Sequence, residues 1–180
     1  ACVEGRPKWP PVGQQGGKPM SDYPKRKIVR LPCYDYGETG YYFITICTHE
    51  KVCRFWSNGK LNPCGQLVLR RIQALPERFP TLQLDQAVVM PNHVHLLFYL
   101  QRQEDLSVMK IINWFKTITT NDYIRGVKAG IFPPYQDHFW QRSFYDHVVR
   151  EERDLQEIRQ YIVNNPIKWN LDRFYESADD

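Results

Sequence analysis

Two strand-length apolar runs, residues 82–90 and 93–100, are separated only by Pro91-Asn92. The first alternates and ends in Ala87-Val88-Val89-Met90; the second reads His93-Val94-His95-Leu96-Leu97-Phe98-Tyr99-Leu100. So short a polar break leaves the two runs one arrangement, an antiparallel hairpin. A hairpin is marginal on its own and needs more strands or helices to cover it. The β-branched and aromatic run 41–48 supplies one strand, and 139–149, with its aromatic start, reads as another. Residues 67–79 carry apolar side chains at 68, 72, 75 and 79, a helical stripe that Pro76 should kink or end. Residues 106–125 repeat the pattern through Val108, Ile111, Ile112, Phe115 and Ile118. A last helix over 151–164 opens on two glutamates and is closed by Pro166. Asn58-Gly59-Lys60 is a turn and 131–135 a Pro-rich loop. The order is β-α-β-β-α-β plus one helix. That is an α+β, ferredoxin-like split βαβ plan: an antiparallel sheet, two helices on one face and an added C-terminal helix.

The chain has 180 residues, enough for one domain with a proper core, and 42% hydrophobic with 24% charged residues excludes wholesale disorder. No apolar run approaches the roughly 20 residues of a membrane-spanning helix, and the N-terminus has no apolar signal segment. No membrane partner is therefore expected. The five cysteines are odd in number and form no CxxC pair, which excludes a disulfide framework and a zinc ribbon and suits reduced thiols in the cytoplasm. Of the 24 basic and 20 acidic residues, seven basic and two acidic ones lie in residues 1–30. The positive excess therefore sits at the N-terminus, where Lys25, Arg26, Lys27 and Arg30 cluster. Residues 1–27 read as a disordered, basic, Pro/Gly-rich arm, 28–175 as the folded domain and 176–180 as an acidic tail. Such an arm suits a polyanion, most simply nucleic acid; the alternative is a solvated tail.

His93 and His95 carry the sharpest chemical signal. Side chains two apart on a strand share a face, so the pair offers two imidazoles side by side, a two-point chelate for a metal ion. Two half-buried, hydrogen-bonded histidines are the plainer alternative. On the last helix Tyr161 and Asn165 are i and i+4, beside the apolar stripe of Leu155, Ile158 and Ile162. They should line the edge of a cleft against the sheet. Of the remaining residues, Trp56, Trp114, Trp140 and Trp169 offer stacking surfaces for unpaired bases, or core. Lys110, Lys116 and Arg125 offer phosphate contacts, or a solvated helix face. His138 and His147 read as structural or DNA-facing.

The run Met90-Pro91-Asn92-His93-Val94-His95-Leu96-Leu97 resembles the His-hydrophobic-His (HUH) motif of single-tyrosine transposases. Downstream, Trp140-Gln141-Arg142-Ser143-Phe144-Tyr145-Asp146-His147-Val148-Val149-Arg150 and Tyr161-Ile162-Val163-Asn164-Asn165-Pro166 resemble the REP-associated tyrosine transposase branch. The likeness spans about residues 26–172, and the two motifs follow in order about 65 residues apart. It implies the same split βαβ fold, His93, His95 and Asn165 as metal ligands, and Tyr161 as a nucleophile carried on the added helix. Asn stands where Gln is common in the superfamily, so the shorter side chain asks the helix to sit closer to the ion or a water to intervene. Tyr145 is a rival nucleophile, but position 149 is Val, with no amide one turn on.

The resemblance further implies a metal-dependent single-strand endonuclease and strand transferase, forming a 5′-phosphotyrosine on single-stranded or hairpin DNA. Mg2+ or Mn2+ is the expected ion, although imidazole also suits zinc and nickel. The DNA contacts are expected from Lys25, Arg26, Lys27, Arg30, Lys110, Lys116, Trp140 and Arg142. Relatives with the tyrosine helix exchanged between subunits work as homodimers and others as monomers. A nucleoid-associated location follows from a DNA substrate. The alternative is a domesticated protein that grips DNA hairpins without cutting them.

Overall fold

A computed structural model describes residues 37–167 and 169. The proposed boundaries at 27/28 and 175/176 lie outside the described residues. So do Lys25, Arg26, Lys27 and Arg30.

The elements run β1 (Gly40–Cys47), β2 (Trp56–Ser57), β3 (Lys60–Leu61), α1 (Pro63–Gln73), α2 (Leu75–Arg78), β4 (Leu82–Val89), β5 (His93–Leu100), α3 (Val108–Lys128), β6 (Tyr145–Val149) and α4 (Glu152–Asn164). The main sheet has the order β4-β5-β1-β6 with every neighbouring pair antiparallel. Strands β1 and β4 are thus parallel to each other with β5 inserted between them, which is the split βαβ arrangement. The central strands β1 and β5 are buried almost throughout, as their unbroken apolar runs require.

The two faces of the sheet are unequal. Val94, Leu96 and Phe98 of β5, with Tyr42, Ile44 and Ile46 of β1, pack against α1 and α3 in the main core. Phe43 and Leu97 point to the other face and meet Leu155, Ile158 and Ile162 of α4. His93 and His95 share that second face by strand alternation. A bulge in β4 shifts the register by one: pairing passes from Leu84↔Phe98 to Gln86↔Leu97 and leaves Asp85 as the extra residue. Beyond it, Val88 lies opposite His95 and joins the α4 side.

Local chemistry explains most boundaries. Asn62 caps α1, its side chain accepting from the Gly65 amide at 2.9 Å, and Pro63 opens the helix; it therefore starts four residues before the apolar stripe. A Cβ on Gly65 would lie 2.3 Å from the Phe55 carbonyl oxygen, so only glycine allows α1 this close to the preceding segment. The stripe residues Val68, Ile72, Leu75 and Phe79 are all buried, and the break falls at Ala74, just before Pro76. Asn58 and Gly59, both at positive φ, turn β2 into β3, a small hairpin beyond the turn read from the sequence. Among the described residues no helix is long and apolar enough to cross a membrane.

One strand is shorter than expected. Of residues 139–149 only Tyr145–Val149 joins the sheet; Trp140 makes a single bridge to Thr48. Phe139, Trp140 and Phe144 are all buried, without the alternation a strand needs. The Lys116 ammonium also donates to the carbonyls of Gln141, Arg142 and Ser143, which removes them as ladder acceptors.

Candidate active site

The hairpin tip is stitched to the segment after β1. The Thr48 amide donates to the Asn92 carbonyl at 2.8 Å, and the Arg54 and Phe55 amides donate to the Pro91 carbonyl at 2.9 and 3.0 Å. These bonds fix where β5 begins, and so where His93 stands. His93 and His95 are both fully buried. Their Nε2 atoms are 2.9 Å apart and their ring centroids 4.5 Å apart.

The outer nitrogens are each tied down. Asn92 Nδ2 donates to the Lys51 carbonyl at 3.0 Å, which leaves Asn92 Oδ1 facing His93 Nδ1 at 2.8 Å. That oxygen only accepts, so His93 carries its proton on Nδ1 and presents a lone pair at Nε2. Thr45, opposite His95 in the β1–β5 register, holds His95 Nδ1 at 2.8 Å through its hydroxyl. The Phe43 ring stacks on His95 at 5.3 Å. Neither Asn92 nor Thr45 was among the expected site residues. Asn92 was read only as a turn; Thr45 becomes visible only once the register between strands 50 residues apart is known.

Helix α4 lies across these groups. Tyr161 Oη is 3.4 Å from His95 Nε2, and its ring stands edge-on to His95 and Phe43 at 5.3 and 6.1 Å. Asn165, one turn on, is 3% exposed, and its amide nitrogen has no hydrogen-bond partner. The Trp169 ring lies 5.9 Å from His93.

The donor set fits a divalent cation. Two ligands in cis positions of an octahedral ion with bonds of ~2.1 Å stand about 3.0 Å apart, close to the 2.9 Å between the two Nε2 atoms. Asn165 adds a buried amide with one end unsatisfied, and rotation about χ2 exchanges its nitrogen for its oxygen. Among the described residues no group of three or more His, Cys, Asp or Glu side chains could hold a metal ion.

The expected DNA contacts fare differently. Trp140 is 5% exposed, its Nε1 donates to Thr119 Oγ1 at 2.9 Å, and its ring packs among Phe55, Phe115 and Phe139. A ring this buried leaves little surface for the base stacking expected of Trp140. Lys116 is spent on three carbonyls of the 141–143 loop, a structural use in place of the expected phosphate contact. Lys110 Nζ donates to the Asp105 carbonyl at 2.5 Å, and Arg142 is exposed. His147 pairs with Asp154, and Tyr145 is 37% exposed on β6, opposite Thr45.

The profile of the family described as "Transposase IS200 like" matches residues 69–165. An uncharacterized protein of Haemophilus influenzae is 32% identical over 167 residues, 83% of this chain and 93% of that one. A second protein of the same organism, provisionally named a REP-associated tyrosine transposase, is 26% identical over 137 residues, 74% of each chain. Among solved structures, a REP-associated tyrosine transposase bound to a REP hairpin superposes with a TM-score of 0.60 at 18% identity. It covers 81% of this chain and 76% of that one, a likeness of fold.

Proposed function

The chain belongs to the family of IS200-like transposases, and from that premise we propose that it cuts and rejoins single-stranded DNA beside a hairpin, with Tyr161 as nucleophile. The observation that carries the reading is a phenol hydroxyl 3.4 Å from His95 Nε2 with a second imidazole nitrogen 2.9 Å from the first; a buried, unsatisfied amide, Asn165, follows one helical turn after the phenol. His93, His95 and Asn165 would hold a divalent cation, Mg2+ or Mn2+. When bound, it would polarise the scissile phosphate and offset its negative charge.

The chain's own residues do the rest. Asn92 and Thr45 fix the imidazole rings, so the ligand nitrogens are already aimed. Tyr161 attacks phosphorus through Oη and the P–O3′ bond breaks. The phenol gives up one proton and the departing 3′-oxygen takes one, so the step is balanced. The product is a 5′-phosphotyrosine and a free 3′-hydroxyl. Phenoxide is itself a good leaving group, so a 3′-hydroxyl can reverse the step without an outside energy source. The hairpin partner is proposed by analogy with the hairpin-bound transposase of similar fold. Among the described DNA candidates, Arg142 and Lys110 keep exposed side chains for phosphate.

Tyr161→Phe tests the reading. It removes one oxygen and keeps the ring against Phe43 and His95, so stability should fall by no more than about 1 kcal/mol. Wild-type protein with Mn2+ and hairpin-bearing oligonucleotides should leave a denaturant-resistant adduct on the 5′-phosphate, and the variant none. Nicking by Tyr161→Phe at the normal rate would assign the attack to water or to another tyrosine, Tyr145 first. Binding without nicking by both proteins would favour a hairpin-gripping role.

A further inference from the structure

Among the described residues, α4 docks through a small apolar cluster: Leu155, Ile158 and Ile162 meet Phe43 and Leu97, with Tyr41, Val88, Val149 and Tyr161 at its margin. Such contact is non-directional and by itself sets the rotation of a helix less sharply than a hydrogen bond does. Tyr161 lies beside that stripe, so a small roll would carry its hydroxyl away from His95.

Two directional contacts oppose the roll. On one flank, the Arg159 guanidinium grips the Asp85 carboxylate with Nε at 3.1 Å from both oxygens and Nη2 at 2.5 Å from Oδ2. The side chains are 29% and 13% exposed. Asp85 is the extra residue of the β4 bulge, and bulges re-aim side chains. On the other flank, Asp154 Oδ2 meets His147 Nε2 at 2.6 Å. Residues 154 and 159 stand about 140° apart around the helix. Their partners lie on β4 and β6, the opposite edges of the sheet. The helix is therefore strapped from edge to edge, with His93 and His95 on β5 between the straps. The Arg153–Glu157 ion pair, by contrast, is internal to the helix and exposed, and ties α4 to no other element.

We infer that Asp85–Arg159 and His147–Asp154 are positioning pairs that set the rotation of α4 and thereby the approach of Tyr161 to the reacting phosphate. The inference rests on Tyr161 being the nucleophile. Arg forks bind carboxylates in a plane, as a Lys point charge does not, so Arg159→Lys keeps the charge and loses the geometry.

The first measurement is NMR on the full-length, metal-free protein. The Tyr161 ring stands 5.3 Å from the His95 ring, so its ring current marks the His95 Cε1–H resonance. Arg159→Lys and Asp85→Asn should move that resonance toward its position in Tyr161→Ala; Glu157→Gln should not. The second is single-turnover cleavage of hairpin-bearing single-stranded DNA with protein in excess and Mn2+. Arg159→Lys and Asp85→Asn should lower the rate about 10- to 100-fold, as misplacing an attacking group does, with DNA Kd changed less than twofold. The charge swap Asp85→Arg with Arg159→Asp should recover part of the rate.

An unmoved His95 resonance, or a wild-type cleavage rate in Arg159→Lys and Asp85→Asn, overturns the inference. A rate loss that tracks loss of folded protein, with no recovery in the swap, overturns it too. Tyr161→Phe separates the two claims: if that variant still forms adduct, the nucleophile reading fails, whereas a dead Tyr161→Phe beside fully active strap variants sinks the straps alone.

Discussion

Asn92 joins three pieces of chain at one point. Its amide nitrogen reaches the Lys51 carbonyl, its amide oxygen orients His93, and its carbonyl receives both the amide and the hydroxyl of Thr48 at 2.8 and 2.9 Å. It is fully buried, so each bond is one that water cannot replace. Asn92→Ala removes the side chain that meets His93 Nδ1 and the Lys51 carbonyl. Stability should fall by about 1–3 kcal/mol, read from the urea midpoint. Losing the partner that fixes a ligating imidazole should also weaken Mn2+ binding about 10- to 100-fold by titration calorimetry. A normal Mn2+ affinity in a folded Asn92→Ala protein would count against His93 as a ligand. Cys64 shows the opposite use of burial: it pushes the thiol up to about 12, against a lesser opposing pull from Arg54, so the residue serves as a small core hydrophobe.

At the scale of elements, α1 and α3 are tied by a carboxylate between two arginines. Asp122 accepts from Arg71 Nε at 2.5 Å and from Arg125 Nη2. Burial pushes its carboxyl up, but the hydrogen bonds and charges of the two arginines outweigh that and hold it below the ordinary value. A carboxyl lowered in the folded state adds stability above its unfolded value of about 3.9, and that share is lost as pH falls through the lower folded value. Asp122→Asn should therefore be less stable than wild type at pH 6, and the gap should close as pH falls from about 5 to 2. Urea midpoints across that range give the answer, and parallel curves for the two proteins would mean that the tie contributes nothing.

Over the whole molecule, stability is unevenly shared. Among the described residues the main core holds 23 buried hydrophobic residues between the sheet and α1–α3, whereas the α4 side holds five, with four more partly buried against them. Free energies of local opening follow buried contact. Amides of α4 should exchange with solvent well before those of β1 and β5 under native conditions. Equal protection for α4 and the central strands would contradict this ranking.

The fold plan was legible from one sequence because its signals are local. The two-residue break at Pro91-Asn92 leaves no room for anything but a hairpin, and the stripe at 68, 72, 75 and 79 is helical whatever surrounds it. His93 with His95, and Tyr161 with Asn165, share faces by strand and helix period alone. The sequence does not tell which face of the sheet each helix covers, whether Trp140 is open to a base or sealed by Thr119, or where the sheet ends after Phe139. Those depend on partners tens of residues away. Thr45 reaches His95 through strand register, and Asp85 reaches Arg159 through a bulge and a helix docked across the sheet. Periodicity sets the direction in which a side chain leaves its own element, while only the packing of elements against one another decides what it meets there.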